Sequence, residues 1–326
     1  MRRAHYDALR PVCVVCRAAS LSIASIVREE NDDLLEGILQ CTNAECQREY
    51  PVIDGIPVLV GPIRAWLAAN PLQVLLRDDL SPELESLLGD VLGAGSAYDT
   101  LRQHTGMYAE DHYATHSARR LLEMAEPRGV SLDVGCATGG VTFAIAERTN
   151  ALTLGVDLNF AMLRVASQAL RAGRVRFARR RVGIVYDRHE LDVPSNANVD
   201  FWCCDAAALP FASDAFAFGA SLNIVDCVSA PREALRELAR VVNGEVLVAT
   251  PYDWAPSATP VEGWLGGHSQ RGTNRGASEP VLHALLSELG LKIVRDEPHV
   301  PWRVRLHDRS SVDYDVHVMA AKSAKT

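Results

Sequence analysis

The chain has 326 residues, of which 48% are apolar and 23% charged, and its net charge is −8. This composition is typical of a soluble globular protein, and the acidic balance disfavours a protein that coats nucleic acid. The sequence contains no run of about 18 apolar residues, so it predicts no membrane span. The first eleven residues lack the apolar segment of a signal peptide, so we expect a cytoplasmic protein whose cysteines stay reduced or bind metal.

Two cysteine pairs mark residues 1–62. Two residues separate Cys13 from Cys16, and four separate Cys41 from Cys46. Alternating apolar residues between the pairs predict a hairpin, which would bring the four thiolates together as in a zinc ribbon. We therefore predict a structural zinc ion at a closed site that leaves no position for catalysis. A metal-free ribbon is the alternative.

Part of this segment, residues 41–59, resembles a known small domain. The pattern is Cys…Cys followed by Glu-Tyr-Pro-Val-Ile-Asp-Gly-Ile-Pro-Val-Leu. It is similar to the zinc-ribbon-like domain that serves as a separate activator of tRNA and protein methyltransferases and is fused to some bacterial methyltransferases. The resemblance implies a small zinc-ribbon-like domain over residues 1–62.

Residues 63–127 lack strand alternation and predict a helical linker or cap. In the stretch 81–92, Ser81 is suited to be the N-cap and Pro82 the first helical residue, and acidic residues follow in the first turn. This stretch therefore predicts a helix.

A second helix is predicted over residues 109–127, where Pro127 would stop it. His112 and His116 are four residues apart and would share one face of that helix. Such a pair can bind metal, but no third ligand is in reach. A partly exposed face or a polar contact on the substrate side is the favoured interpretation.

From about residue 130 the pattern becomes strand, glycine-rich turn, helix and strand. A buried strand over 130–134 precedes Gly135, Gly139 and Gly140, and the next strand ends in Asp157. Glycines at such a turn let a ligand approach the backbone, and an acid at the second strand end can accept ribose hydroxyls. The pattern predicts a doubly wound α/β sheet with a nucleotide-like ligand.

This stretch, with a third strand ending at Cys204-Asp205 and a fourth within 214–222, resembles the class I S-adenosylmethionine-dependent methyltransferases. The resemblance covers about residues 128–250. It implies a Rossmann-like sheet, S-adenosylmethionine as cofactor, a methionine site at the turn, a ribose site at the second strand end and an adenine site at the third. The residues placed at the cofactor are Asp133, Gly135, Ala137, Gly139, Asp157, Leu158, Asp205 and Ala206. Ala137 stands where many members have Gly, and surface acids at strand ends are the alternative for Asp157 and Asp205.

Three further stretches resemble the C-terminal methyltransferase domain of ovothiol synthase, which methylates an imidazole nitrogen. They are an insertion at 174–191, the segment 221–231, and the loop "PYDWAPSATPVEGWLGG" at 251–267. Cys227 departs from that family, which has Arg there, and no sulfur-inserting domain is present. Arginines at 174–181 predict a solvated helix face, with anion or carboxylate binding as the alternative.

The resemblance and the strand ends together select substrate-side candidates. Asn223, Asp226, Tyr252 and Trp254 follow the fourth and fifth strands, where doubly wound sheets bind ligands. Asp226 can accept an imidazole N–H or pair with a substrate ammonium. Trp254, together with Trp264, can wall a flat ring, with simple anchoring of the loop as the alternative. Two tyrosines are weaker candidates, Tyr108 and Tyr113.

The predicted organisation is therefore a ribbon at 1–62, a helical cap at 63–127 and a methyltransferase domain at 128–326 with a substrate loop at 251–278. The favoured function is N-methylation of the imidazole of histidine or of a thiohistidine-like small molecule. The alternatives are a methyltransferase of RNA or protein that uses the ribbon for recognition, and a non-enzymatic binding module. The ribbon holds six arginines and nine acids, a charge of −3 that disfavours RNA.

Overall fold

Residues 1–77 and 80–324 are described by a computed structural model, and within them eleven strands form one continuous sheet. The strands in chain order are β1 (Leu21–Glu30), β2 (Asp33–Cys41), β3 (Glu49–Ile53), β4 (Ile56–Leu59), β5 (Ser131–Val134), β6 (Thr153–Asp157), β7 (Arg174–Val182), β8 (Val185–Asp192), β9 (Val199–Cys204), β10 (Phe216–Leu222), β11 (Val242–Thr250), β12 (Leu291–His307) and β13 (Ser310–Ser323). The sheet order is β1-β2-β3-β4-β9-β6-β5-β10-β11-β13-β12, and β7 pairs with β8 in a separate hairpin.

The helices flank this sheet. They are α1 (Arg3–Leu9), α2 (Ile63–Ala69), α3 (Pro71–Leu75), α4 (Pro82–Leu92), α5 (Ala97–Glu110), α6 (Gly140–Thr149), α7 (Phe160–Ala172), α8 (Pro231–Val241) and α9 (Glu279–Glu288). A π-helical turn covers Asp111–Thr115, and 3-10 helices cover Ser117–Met124 and Val261–Gly263. As predicted, α4 begins after Ser81, whose side chain accepts a hydrogen bond from the Leu84 N–H.

The centre of the sheet is parallel. β9, β6, β5, β10 and β11 pair in parallel, and β13 joins β11 antiparallel. Helices cover both faces, so these strands are apolar runs rather than alternating ones. On β9, Phe201 packs in the apolar cluster that includes α7, and Trp202 packs in the cluster on the opposite face that includes α8 and α9. The predicted doubly wound α/β sheet is therefore confirmed.

The N-terminal segment is continuous with this sheet. β4 pairs in parallel with β9, with Val58 opposite Cys203 and Leu59 opposite Cys204. Arg2 donates its backbone N–H to the Asp200 carboxylate at 3.0 Å. The first 62 residues thus extend the sheet beyond β9, and their backbone covers an edge that would otherwise expose unpaired polar groups.

The helix predicted over residues 109–127 is interrupted. α5 ends at Glu110, a π-helical turn follows, and His116 takes a left-handed conformation with φ of 54° before the 3-10 helix begins. A left-handed residue cannot continue a right-handed helix. As a result, His112 and His116 do not share one helix face.

The arginine-rich insertion is also not a helix. Residues 174–182 form β7, on which Val175 and Phe177 are buried while Arg174 and Arg176 alternate with them. That alternation is the two-residue period of a strand, and the arginines find acids across the hairpin, such as Asp187 for Arg181. The prediction of a solvated helix face was wrong in its secondary structure.

Candidate functional site

A cavity of about 400 Å³ lies at the carboxyl ends of β5, β6, β9 and β10. Most of the residues proposed for the cofactor line it: Asp133, Gly135, Ala137, Asp157, Leu158, Asp205 and Ala206. Asn223 lines it from the substrate side. A doubly wound sheet binds ligands at such a point, where the strand order reverses direction.

The glycine-rich turn forms the floor of the cavity. Gly135, Ala137 and Gly139 have φ values of 78°, 47° and 89°, in the left-handed region. A Cβ on Gly139 would lie 2.5 Å from the Phe201 ring, so this position requires glycine. Ala137 holds its unusual conformation because its N–H donates to Asp157 Oδ2 at 2.8 Å. Gly139 itself lies at the base of the turn, outside the cavity lining.

Asp157 ends β6 and is half-buried at the wall of the cavity. One carboxylate oxygen accepts the Ala137 N–H, and the other accepts the Asn159 N–H at 2.8 Å. Burial raises the pKa of this carboxyl, and backbone donors at Asn159, Ala137 and Leu158 oppose the rise. A carboxylate has about four lone-pair sites, so beyond its backbone donors the group can still accept a hydrogen bond from a ligand's hydroxyl.

Two further acids stand at neighbouring strand ends. Asp133 on β5 accepts a hydrogen bond from Thr142 Oγ1 at 2.7 Å, and burial raises the pKa of its carboxyl to about 7. Asp205 follows β9, and its Oδ1 accepts the Ala207 N–H at 2.9 Å. The cavity thus has carboxylates on three adjacent strands.

The segment that precedes β5 supports the turn from above. His112 Nδ1 accepts the Gly140 N–H at 3.1 Å and lies 2.9 Å from Thr138 Oγ1, and the Tyr113 hydroxyl donates to the Thr138 carbonyl. Burial lowers the pKa of His112, which favours the neutral ring that this acceptor role needs. A Cβ on Gly140 would lie 2.4 Å from that of His112. Nothing in the sequence pattern indicated this contact.

Asn223 stands where β10 ends and carries an unpaired polar atom. Its φ is 57°, a conformation that Asn tolerates, and its Oδ1 is buried without a hydrogen-bond partner in residues 1–77 and 80–324. A buried carbonyl without a donor costs free energy unless a ligand supplies one. The side-chain oxygen of Asn223 is therefore a candidate ligand contact.

Aromatic residues complete the same wall. Tyr108 from α5 and Trp302 from β12 line the cavity together with Cys227. Trp302 is fixed by its indole N–H, which donates to Asp111 Oδ2 at 3.1 Å, and by stacking on Tyr314 at 5.1 Å between ring centroids. Sequence reasoning missed Trp302 because only the long hairpin of β12 and β13 brings it to the cavity.

Asp226 is buried below the cavity surface, with 1% of its surface exposed. Its Oδ2 accepts the Asp253 N–H at 2.7 Å, and its Oδ1 lies 3.3 Å from the Thr250 hydroxyl. Burial raises the pKa of the carboxyl, against these hydrogen bonds. Asp226 therefore holds the start of the loop after β11 and does not line the cavity.

Tyr252 and Trp254 also lie outside the cavity lining. The Tyr252 hydroxyl contacts His317 Nδ1 at 2.6 Å. Trp254 stacks on Trp264 at 6.0 Å between centroids and donates its indole N–H to Ser278 Oγ at 3.1 Å. These contacts anchor the two ends of the loop to each other and to the protein body.

The four ribbon cysteines come together as predicted. Cys13 Sγ lies 3.7 Å from Cys46 Sγ, and Cys16 Sγ lies 3.6 Å from Cys41 Sγ. A tetrahedral zinc ion with Zn–S bonds of about 2.3 Å needs sulfurs about 3.8 Å apart. The four thiols thus fit a zinc ion closely.

Among residues 1–77 and 80–324, no helix combines the length and the apolar character that crossing a membrane requires.

Comparison with known proteins gives one family and several similar folds. Residues 132–249 match the family described as "Methyltransferase domain". No curated protein matches the chain. Among solved structures, the chain is similar to the YcgJ protein from Bacillus subtilis at 18% identity, covering 65% of this chain and 100% of that chain with a TM-score of 0.42.

Two other solved structures are similar at the same level. A SAM-dependent methyltransferase from Methanosarcina mazei shows 17% identity, covers 63% of this chain and 96% of that chain, and has a TM-score of 0.41. A chain of the complex between the Haloferax volcanii Trm112 methyltransferase activator and the putative methyltransferase shows 14% identity, covers 75% of this chain and 99% of that chain, and has a TM-score of 0.42.

The family match spans the strands β5 to β11, whose ends surround the cavity. The order of the parallel strands and the antiparallel β13 agree with a Rossmann-like sheet. The chain is an S-adenosylmethionine-dependent methyltransferase with a class I fold.

Proposed function

We propose that the cavity binds S-adenosylmethionine through the three acids at its strand ends. Asp157 would accept the ribose hydroxyls, Asp205 and the backbone of Ala206 would meet the adenine edge, and the turn at 135–139 would hold the methionine part above Asp133. The support is chemical: carboxylates with remaining acceptor capacity line one side of a cavity whose floor is the glycine-rich turn.

We propose further that the substrate is a small molecule with an imidazole ring, histidine or a thiohistidine-like compound, and that a ring nitrogen is methylated. One observation carries this proposal: Asn223 lines the cavity, and its side-chain Oδ1 is buried without a hydrogen-bond partner in the described residues, so a small rotation of the side chain would offer this acceptor to a ligand. A neutral imidazole has an N–H on one nitrogen and a lone pair on the other. A carbonyl that accepts a hydrogen bond from this N–H leaves the other nitrogen as the nucleophile, and the methylated ring, first an imidazolium, then loses the N–H proton to solvent.

Methyl transfer requires the protein to orient the acceptor and to exclude water, but not to protonate a leaving group. S-adenosylmethionine supplies a methyl group on a sulfonium, from which the departing sulfide needs no proton. Asn223 orients the ring and fixes its tautomer, so that the free lone pair is directed in line with the methyl–sulfur bond. Tyr108 and Trp302 flank the same space and exclude water from the reacting atoms.

Asp226, Tyr252 and Trp254 are proposed as residues that position this site. Asp226 ties the loop to the end of β11 through Asp253, and Tyr252 and Trp254 fix the loop farther out. Ala258 brings the loop to the cavity wall. Loss of these anchors would move the wall that faces the substrate.

We propose that the four ribbon cysteines hold a structural zinc ion. The sulfur spacing and the lack of an open ligand position support this role. The ion would fix the β1–β2 hairpin and, through β3 and β4, the sheet edge at β9.

The test of the function is methyl transfer from labelled S-adenosylmethionine to a panel of acceptors. The panel contains histidine, a thiohistidine, histidines already methylated at each ring nitrogen, and bulk tRNA. Label in the free imidazoles, lost when the reacting nitrogen is already methylated, supports the proposal. Label only in tRNA would establish the macromolecular alternative instead.

A further inference from the structure

A second cluster of metal-ligating side chains lies away from the cysteines and the cavity. His283 on α9, Asp296 on β12 and His317 on β13 place their ligand atoms within 4.8 Å of one another. His317 Nε2 lies 2.6 Å from Asp296 Oδ1, and His283 Nε2 lies 3.2 Å from Asp296 Oδ2. Two imidazoles therefore face the two oxygens of one carboxylate.

One of these two rings lacks a hydrogen-bond partner in the part of the chain that the structure describes. His317 is buried, with 4% of its surface exposed. His283 Nε2 is buried too, and its contact with Asp296 does not have hydrogen-bond geometry, so within the described residues this nitrogen has no hydrogen-bond partner. A buried ring nitrogen without a partner is costly, and a cation between the rings and the carboxylate would use its lone pair.

Tyr252 supplies the outer contact that a metal-binding histidine needs. A ligating imidazole pairs its other ring nitrogen with an oxygen, which fixes the tautomer and the ring orientation. The Tyr252 hydroxyl lies 2.6 Å from His317 Nδ1 and leaves Nε2 to face Asp296 and His283. Three elements and the loop after β11 therefore converge on one point.

A second histidine–aspartate pair on the β12–β13 hairpin lacks such additional ligands among residues 1–77 and 80–324. His299 Nδ1 lies 2.6 Å from Asp315 Oδ2, and both side chains are largely exposed. This pair has the same chemistry and the same short contact, but it is not part of a three-ligand group in the described residues. It provides a matched control.

We propose that His283, Asp296 and His317 bind a divalent transition metal ion, with Zn²⁺ as the reference ion. The two Nε2 atoms and one Asp296 oxygen would be the protein ligands, and water would complete the coordination. Ligand atoms about 2.0 Å from a tetrahedral ion are about 3.3 Å apart, so the contact between His317 and Asp296 opens when the ion enters.

Such a site has a mechanical role. None of its ligands lines the cofactor cavity, so the ion does not touch the reacting atoms. It would join α9 to the β12–β13 hairpin and, through Tyr252, hold the beginning of the loop whose other part reaches the cavity wall. Metal binding would therefore rigidify the loop independently of which molecule is methylated.

The test counts metal ions on the full chain. The wild type and three variants, His283→Gln, Asp296→Asn and His299→Gln, are equilibrated with excess Zn²⁺, dialysed and analysed for zinc. We expect about two ions per chain for the wild type and His299→Gln, and about one for the other two variants. If the cysteine site stays empty, we expect about one ion per chain for the wild type and His299→Gln and about none for the other two variants, and this difference also supports the proposal.

Cobalt substitution identifies the ligands. Co²⁺ at four thiolates gives intense sulfur-to-metal charge transfer, whereas Co²⁺ on nitrogen and oxygen ligands gives only weak visible bands. Cys41→Ser disables the ribbon site but leaves His283, Asp296 and His317 intact, so this variant should show the weak bands of Co²⁺. The double variant Cys41→Ser, His283→Gln should lack them. Equal zinc content and equal cobalt spectra with and without His283→Gln would overturn the proposal. Unfolding curves in chelator verify that Asp296→Asn, which keeps the shape of the side chain, remains folded.

Discussion

Asp157 Oδ2 accepts a hydrogen bond from the backbone N–H of Ala137 at 2.8 Å, so the end of β6 fixes the turn that follows β5. The two strands lie side by side, and this bond links their carboxyl ends above the sheet. The same carboxylate thus both supports the floor of the cavity and lines its wall.

Removal of Asp157 should therefore weaken cofactor binding. Asp157→Ala deletes the acceptor for ribose hydroxyls and leaves the Ala137 N–H unpaired, which predicts a loss of about tenfold or more in affinity. Calorimetric titration with S-adenosylmethionine measures this loss. Asp313→Ala, which removes an exposed acid of β13, should leave the affinity unchanged.

Asn223 should affect the substrate rather than the cofactor. Asn223→Gly tolerates the left-handed backbone while it removes the side chain. A lost hydrogen bond of about 1–2 kcal/mol predicts a fall of about 5- to 30-fold in kcat/KM, with cofactor affinity retained. Steady-state kinetics with the methyl acceptor and calorimetry with the cofactor separate the two. Unchanged kinetics would exclude Asn223 from substrate binding.

Asp226 should act through the loop. Asp226→Ala leaves the Asp253 N–H and the Thr250 hydroxyl without their acceptor, which predicts about 1–3 kcal/mol of lost stability and reduced turnover. Cofactor affinity should persist because Asp226 does not line the cavity. Denaturant unfolding and limited proteolysis at the loop provide the measurements. If Asp226→Ala and Asp157→Ala lose cofactor equally, the assigned roles are wrong.

His112 should make stability depend on pH. Its folded pKa is lowered from 6.5 by burial, so the unfolded chain binds the proton more readily. The stabilisation from the neutral ring is complete above 6.5 and decreases as the pH falls through 6.5 towards the folded pKa. The free energy of unfolding of the wild type minus that of His112→Gln should therefore shrink between about pH 7 and about pH 5. A difference that is flat with pH would contradict this role.

Loss of the ribbon zinc should destabilise the whole sheet. Cys41→Ser should release about one zinc ion per chain and lower the melting temperature, because β4 covers the β9 edge. Glu45→Ala, an exposed substitution beside Cys46, is the control and should retain the ion. An unchanged melting temperature after complete loss of zinc would show that the metal does not support the sheet.

Local sequence signals predicted the centre of the protein well. The glycine turn, the acids at strand ends and the apolar strands depend on short-range chemistry, and the cavity is lined by seven of the eight predicted cofactor residues. The methyltransferase prediction is confirmed by the family match. The roles of the individual residues remain predictions.

Features that depend on distant partners were missed. The two-residue period of β7 covers only residues 174–177, because three arginines follow one another at 179–181. The acidic partners of the arginines lie across the hairpin or, for Arg179, on other elements. The contact of His112 with Gly140 joins segments that sequence spacing cannot relate. Trp302 reaches the cavity only because β12 is 17 residues long.

The pairing of β4 with β9 has a consequence for synthesis. The cysteine hairpin leaves the ribosome early, but β4 has no partner until residues 199–204 have been made. During this interval Val58 and Leu59, both fully buried at the end, stay uncovered. Exposed strand edges promote misassembly in nascent chains, so the chain is prone to aggregate during this interval. The compact β1–β2 hairpin limits how much apolar surface is exposed meanwhile.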